Sequence, residues 1–174
     1  KVYRQLADSG DMQMRIYGMY SSTEKDLEQV LAAGHSTDPR DMYSVRSIKI
    51  YTDGALGSRG AAMLEPYSDR PDHSGLLLTS RDELRRLFKL AINAEFQIAI
   101  HAIGDKGNRI GLDELEQAYT SYGGRHLRHR MEHSQVVALS DIPRFKQLDV
   151  IPSMQPTHAT SDMNMAEDRI GAER

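Results

Sequence analysis

Short apolar or alternating runs, separated by helical patterns at intervals of about thirty residues, constrain this chain more than any other feature. Runs at 14–20, 45–51, 97–103, 128–133 and 150–154 read as strands. Helical patterns lie between them, at 24–33, 81–94, 108–122 and 140–148. Ser80 and Glu83 have capping-box spacing, and Leu84, Leu87, Phe88, Ala91 and Ile92 then recur on one helical face. Leu112, Leu115 and Tyr119 repeat the pattern, and Gly123-Gly124 stops it. Alternation of this kind predicts an α/β fold with a parallel sheet. The stretch 53–79 breaks the rhythm. It is rich in Gly, Pro, Ser and Asp, and connections of that length are usually functional or disordered.

Strand parity shows which side chains can meet. Ile48 and Ile50 share one face, with Lys49, Tyr51 and Asp53 opposite; Ile98 and Ile100 share a face, with His101 opposite. Helices over the isoleucines leave Lys49 and His101 on the other side, near the C-terminal strand ends where parallel α/β folds build their sites. His133 ends the next strand. Taken singly, each has a plainer reading: a solvated strand lysine, or a histidine hydrogen-bonded in the packing. His126 and His129 show that histidine is simply frequent near residue 130, and His35 and His73 read as surface residues. Met12, Met14, Met19, Met154, Met163 and Met165 read as core filler. The convergence of three strand ends sets Lys49, His101 and His133 apart.

Composition removes several classes of function. There is no cysteine, so disulfides, thiolate zinc sites and cysteine nucleophiles are excluded. With 22 basic and 25 acidic residues the net charge is −3, which argues against nucleic acid and anionic membrane as partners. No apolar run approaches the length of a membrane span, and no secretory signal pattern opens the chain. A reducing, cytoplasmic compartment fits.

Four motifs then stand in order: Lys49-Ile50-Tyr51-Thr52-Asp53-Gly54-Ala55-Leu56-Gly57-Ser58-Arg59, His101-Ala102-Ile103-Gly104-Asp105, Met131-Glu132-His133-Ser134-Gln135 and Ser153-Met154-Gln155-Pro156-Thr157-His158-Ala159. Together they resemble the amidohydrolase superfamily, in its family 3 branch that includes N-substituted formamide deformylase-like predicted metal-dependent hydrolases. The resemblance implies a TIM (β/α)8 barrel, with 14–20 as strand three and the runs ending at Lys49, His101, His133 and Met154 as strands four to seven. It also implies metal-dependent hydrolysis of non-peptide carbon–nitrogen bonds in a small-molecule partner, an amide or formamide substrate. Lys49, as a carbamate, would join His101 and His133 in holding one or two divalent ions, zinc by expectation. The metal would acidify water and polarise the carbonyl. His158 matches a substrate or oxyanion contact. Asp53 and Arg59 lie beside the motifs as catalytic candidates, Asp53 with a turn as its plainer reading and Arg59 as a contact for an anionic substrate group. Asp105 reads as a cap of the helix that follows.

Two family elements have no match. No His-Xaa-His occurs, and the strand-eight aspartate would lie past Arg174. A barrel needs about 250 residues, whereas this chain has 174, opens at Lys1 and stops in an apparent helical pattern. The expectation is that residues 1–174 are the central part of one barrel domain, about strands three to seven. On its own the piece would bind metal weakly or not at all and be inactive. Its partners would be the remainder of a parent chain, or other copies associating through open barrel edges. A deaminase of a cyclic amidine and a non-catalytic scaffold are the alternative functions.

Overall fold

The structure, a computed structural model, describes residues 2–174. Five parallel strands form its centre: β1 (Ile16–Ser21), β3 (Tyr43–Tyr51), β4 (Gln97–Ala102), β5 (Arg130–His133) and β6 (Ile151–Ser153), in the order β1-β3-β4-β5-β6. A two-residue strand, β2 (Ser36–Thr37), runs antiparallel to β3 through Ser36–Val45 and Thr37–Ser44. β1 already lines one edge of β3, so β2 takes the other edge before β4 joins it at the Ser47–Gln97 pair. This is the expected α/β architecture, a partial (β/α)8 barrel with five of the eight strands of a closed one.

The isoleucines decide which face the helices cover. Ile48, Ile50, Ile98, Ile100 and Met131 are fully buried. They form one core with the apolar stripes of α3 (Arg81–Asn93) and α4 (Asp105–Tyr122). Ser80 caps α3 as its spacing requires, its hydroxyl accepting from the Glu83 N–H at 3.2 Å. α2 (Leu27–Ala32) and α5 (Ile142–Gln147) complete the crossovers.

The differences from expectation are mostly at the ends. α4 begins at Asp105 rather than at 108. Asp105 does not cap it; Gly104 takes that place, and Asp105 Oδ1 accepts from the N–H groups of Leu64 and Lys106, both at 2.8 Å. Three further helices are short: α1 (Val2–Ser9), α6 (Thr157–Ser161) and α7 (Met163–Ile170). The chain does not stop in a helix, because α7 ends at Ile170 and Gly171 follows with φ +78°. Met14, Met154 and Met163 are exposed rather than core filler, since each lies outside a strand or on a helix face turned to solvent. His35 stays exposed but is held, its Nε2 2.8 Å from the Glu95 carbonyl and its ring edge-on to Phe96.

The segment 53–79 is ordered by a second apolar cluster of Leu56, Ala61, Met63, Tyr67, Ile103, Val136 and Ile170. The Tyr67 hydroxyl donates to the Ala61 carbonyl at 2.7 Å. Two glycines let the segment lie flat on α4 and on itself. A Cβ on Gly104 would fall 2.0 Å from the Ala62 oxygen, and one on Gly75, at φ +82°, would fall 1.8 Å from the Ala61 oxygen. Among the described residues no helix is long and apolar enough to cross a membrane.

Candidate active site

With the helices on the isoleucine face, the opposite face presents rows of polar side chains. Lys49, Ala99 and Arg130 form one row, and Tyr51, His101, Glu132 and Ser153 form the next. His133 pairs with Ala102, so strict alternation would send it to the helix side. It does not go there. His133 has φ +77° and Ser134 φ +44°. Two successive left-handed residues break the pleat at the strand end and turn the imidazole back over the polar face. Its ring centroid lies 4.6 Å from that of His101, edge-on at 72°, and 5.9 Å from that of His158 on α6. Lys49 Nζ sits 5.3 Å from the centre of the Tyr51 ring, which itself lies 5.3 Å from His101.

These bases are held towards their neutral forms. Burial, reinforced by His133 and Lys49, lowers the His101 pKa to about 4. Burial also lowers His133, with Lys49 and His158 adding to it and the hydrogen bond to Gln155 opposing it. The Lys49 amine is lowered by burial and by Arg130, against the pull of Glu132. Hydrogen bonds then select the tautomers. His101 Nε2 is 3.4 Å from the Gly54 carbonyl, and His133 Nδ1 is 2.8 Å from Gln155 Oε1. Both partner oxygens only accept, so both ring nitrogens carry the proton. The remaining lone pairs, on His101 Nδ1 and His133 Nε2, are free of hydrogen bonds among the described residues.

The other sequence candidates separate. Asp53 is fully buried and its carboxylate is occupied: it accepts from Ile103 N–H at 3.0 Å, Gly104 N–H at 2.8 Å and Ala62 N–H at 2.9 Å. It is not in a simple turn; it clamps the 53–79 segment to the start of α4. Burial raises its pKa to about 6, with those three donors opposing. It lies 3.7 Å from His101 Nε2. Arg59 forms a two-pronged ion pair with Asp69 at 2.9 and 2.7 Å, and Asp69 also holds Arg169. His158 shares a cleft of about 400 Å³ with His133, Gln155, Leu56, Met154 and Ile170. Glu132 and Gln155, which stand inside the motifs without a role there, also belong to the site. Glu132 is buried, 2.7 Å from Arg130 Nε as an ion pair; its parity with Arg130 was the available signal. Among the described residues no group of three or more His, Asp or Glu side chains is arranged to hold a metal ion.

The amidohydrolase family model matches residues 1–174. The chain belongs to the amidohydrolase family. Over 127 residues this amidohydrolase-family chain is 38 % identical to Protein LONG AFTER FAR-RED 3 of Arabidopsis thaliana, covering 73 % of the chain and 22 % of that relative. It is 34 % identical over 128 residues to YtcJ of Bacillus subtilis (strain 168), which carries the amidohydrolase name, covering 74 % and 24 %. Its fold matches the crystal structure of an uncharacterized metal-dependent hydrolase from Pyrococcus furiosus with a TM-score of 0.85 and 30 % identity, over 99 % of this chain and 35 % of that one. A Pyrococcus horikoshii OT3 counterpart gives 0.83 and 31 %, over 99 % and 34 %. The chain thus spans under a quarter of the curated relatives it matches and about a third of these solved chains.

Proposed function

We propose that the polar face of the sheet is part of the metal-dependent hydrolytic centre of a larger amidohydrolase, acting on non-peptide carbon–nitrogen bonds in amides or formamides. The observation that carries this reading is the pairing of His101 and His133. Two neutral imidazoles meet at 4.6 Å, each with its protonated nitrogen tied to an acceptor and its other lone pair free. That is the donor chemistry a divalent ion requires, and nitrogen ligands suit zinc. Lys49, with its amine pKa lowered by burial, is suited to add CO₂, because only the neutral amine is nucleophilic. The carbamate formed would give the site an anionic oxygen donor. Lys49, His101 and His133 are therefore the residues that would hold the ion. When bound, it would supply Lewis acidity and lower the pKa of water.

The chain's own residues do the rest. His158 lies beside His133 in the lining of the apolar cleft; in this reading it would contact the substrate carbonyl, with the cleft taking a neighbouring apolar group. Asp53 holds the backbone around His101 rather than exchanging a proton with substrate, since its oxygens are already engaged by three N–H groups. Arg59 braces the loop through Asp69. Residues 1–174 make up the central part of one barrel domain in this reading. Calorimetric titration with Zn²⁺ tests it. The expected outcome is weak binding by the chain, lost in both His101→Ala and His133→Ala. Binding unchanged by either substitution would overturn the site assignment.

A further inference from the structure

His133 reaches the polar face only because two left-handed residues turn it there, where its ring meets those of His101 and His158. Its single hydrogen bond among the described residues is to Gln155, at 2.8 Å. Gln155 lies just past β6, the next strand of the sheet, and its backbone carbonyl accepts from His158 N–H at 3.0 Å at the start of α6. One residue thus joins the His133 ring to the segment that carries His158. We infer that Gln155 is a positioning residue: its side-chain oxygen holds His133 as the Nδ1–H tautomer, so that Nε2 presents its lone pair to the site. The inference deepens the reading of His133 as a metal-facing base and rests on it.

The physical argument is one of donors and acceptors. A free neutral imidazole interconverts its tautomers readily, and the wrong one presents an N–H where a lone pair is needed. An oxygen acceptor at Nδ1 removes that ambiguity, and outer partners of this kind raise ligand affinity without touching the metal. Gln155 also suits a half-buried place beside neutral imidazoles. A carboxylate there would stabilise the imidazolium, whereas the neutral amide orients the ring and leaves it neutral.

Long-range proton–nitrogen NMR spectra of the imidazoles, at alkaline pH on the 174-residue chain, read the tautomer directly. The expected result is the Nδ1–H form for His133 in the native chain, a shift towards the Nε2–H form in Gln155→Leu, and retention of Nδ1–H in Gln155→Glu. An Nε2–H tautomer in the native chain, or no change in Gln155→Leu, would overturn the inference. The native measurement needs no substitution, so the inference stays testable even if Gln155→Leu fails to fold. Zn²⁺ titration of the same proteins separates the two levels of argument. Affinity is expected to fall roughly 10- to 100-fold in Gln155→Leu and to recover in Gln155→Glu. The expected tautomers with no zinc binding in any variant would refute the metal-centre reading and leave the positioning role standing.

Discussion

At the scale of single residues, two histidines four positions apart do opposite work. His133 is turned to the polar face. His129 is fully buried, with Nδ1 accepting the Ile98 N–H at 2.9 Å and its ring stacked on Tyr119, while Nε2 finds no partner. Burial, with His126 adding to it, lowers the His129 pKa to about 4. A folded pKa below the unfolded value of about 6.5 means that the unfolded chain binds the extra proton. The neutral ring's contribution is therefore full above about pH 6.5 and is lost as pH falls towards 4, by about 3 kcal/mol at most. His101 slopes the same way. Asp53, raised to about 6, slopes the opposite way, so the comparison must be made with a variant. Urea unfolding between pH 7 and pH 4 is expected to show a shallower acid loss in His129→Gln than in the native chain. Equal slopes would show that His129 does not carry the effect.

At the scale of elements, the strongest sequence signal and the clearest energetic prediction coincide in α3. Replacing Ser80 with Ala removes the acceptor for Glu83 N–H and is expected to cost about 1 kcal/mol, read as a lower unfolding midpoint with unchanged cooperativity. The helices and strands that bury a clean apolar face were legible because periodicity reports burial. The isoleucines of β3 and β4 placed Lys49 and His101 on the correct face for that reason. β5 was not legible in the same way. Met131 alone marks its buried side, and alternation from it would have sent His133 towards α4. The left-handed pair at His133–Ser134 leaves no period, nor does Gln155, whose role appears only when two strands lie side by side. The 53–79 segment was recognised as unusual, yet its order depends on Asp53 gathering three amides from 9 to 51 residues away in sequence, a pattern no local window contains. α7 is short, and it is held against that segment through Arg169–Asp69 and Ile170.

At the scale of the whole molecule, β1 pairs only with β3 and β6 only with β5 among the described residues. Each leaves one edge of backbone donors and acceptors unpaired. Sedimentation velocity over a concentration series is expected to show mass rising with concentration, as copies add strand to strand; a single monomeric species with cooperative unfolding would count against it. The 53–79 segment has a further effect, on time rather than on energy. It lies between β3 and the helix leading to β4, so the central pairing of Ser47 with Gln97 cannot form until the 49 residues between them have been gathered. Lengthening such a closure costs little free energy, about 0.6 kcal/mol per doubling. Its cost falls instead on the folding rate, because non-local parallel pairing must precede most of the burial that rewards it. A newly made chain would therefore hold β1 and β3 ready while the rest of the sheet is still missing. That interval is when chaperones and proteases would compete for it.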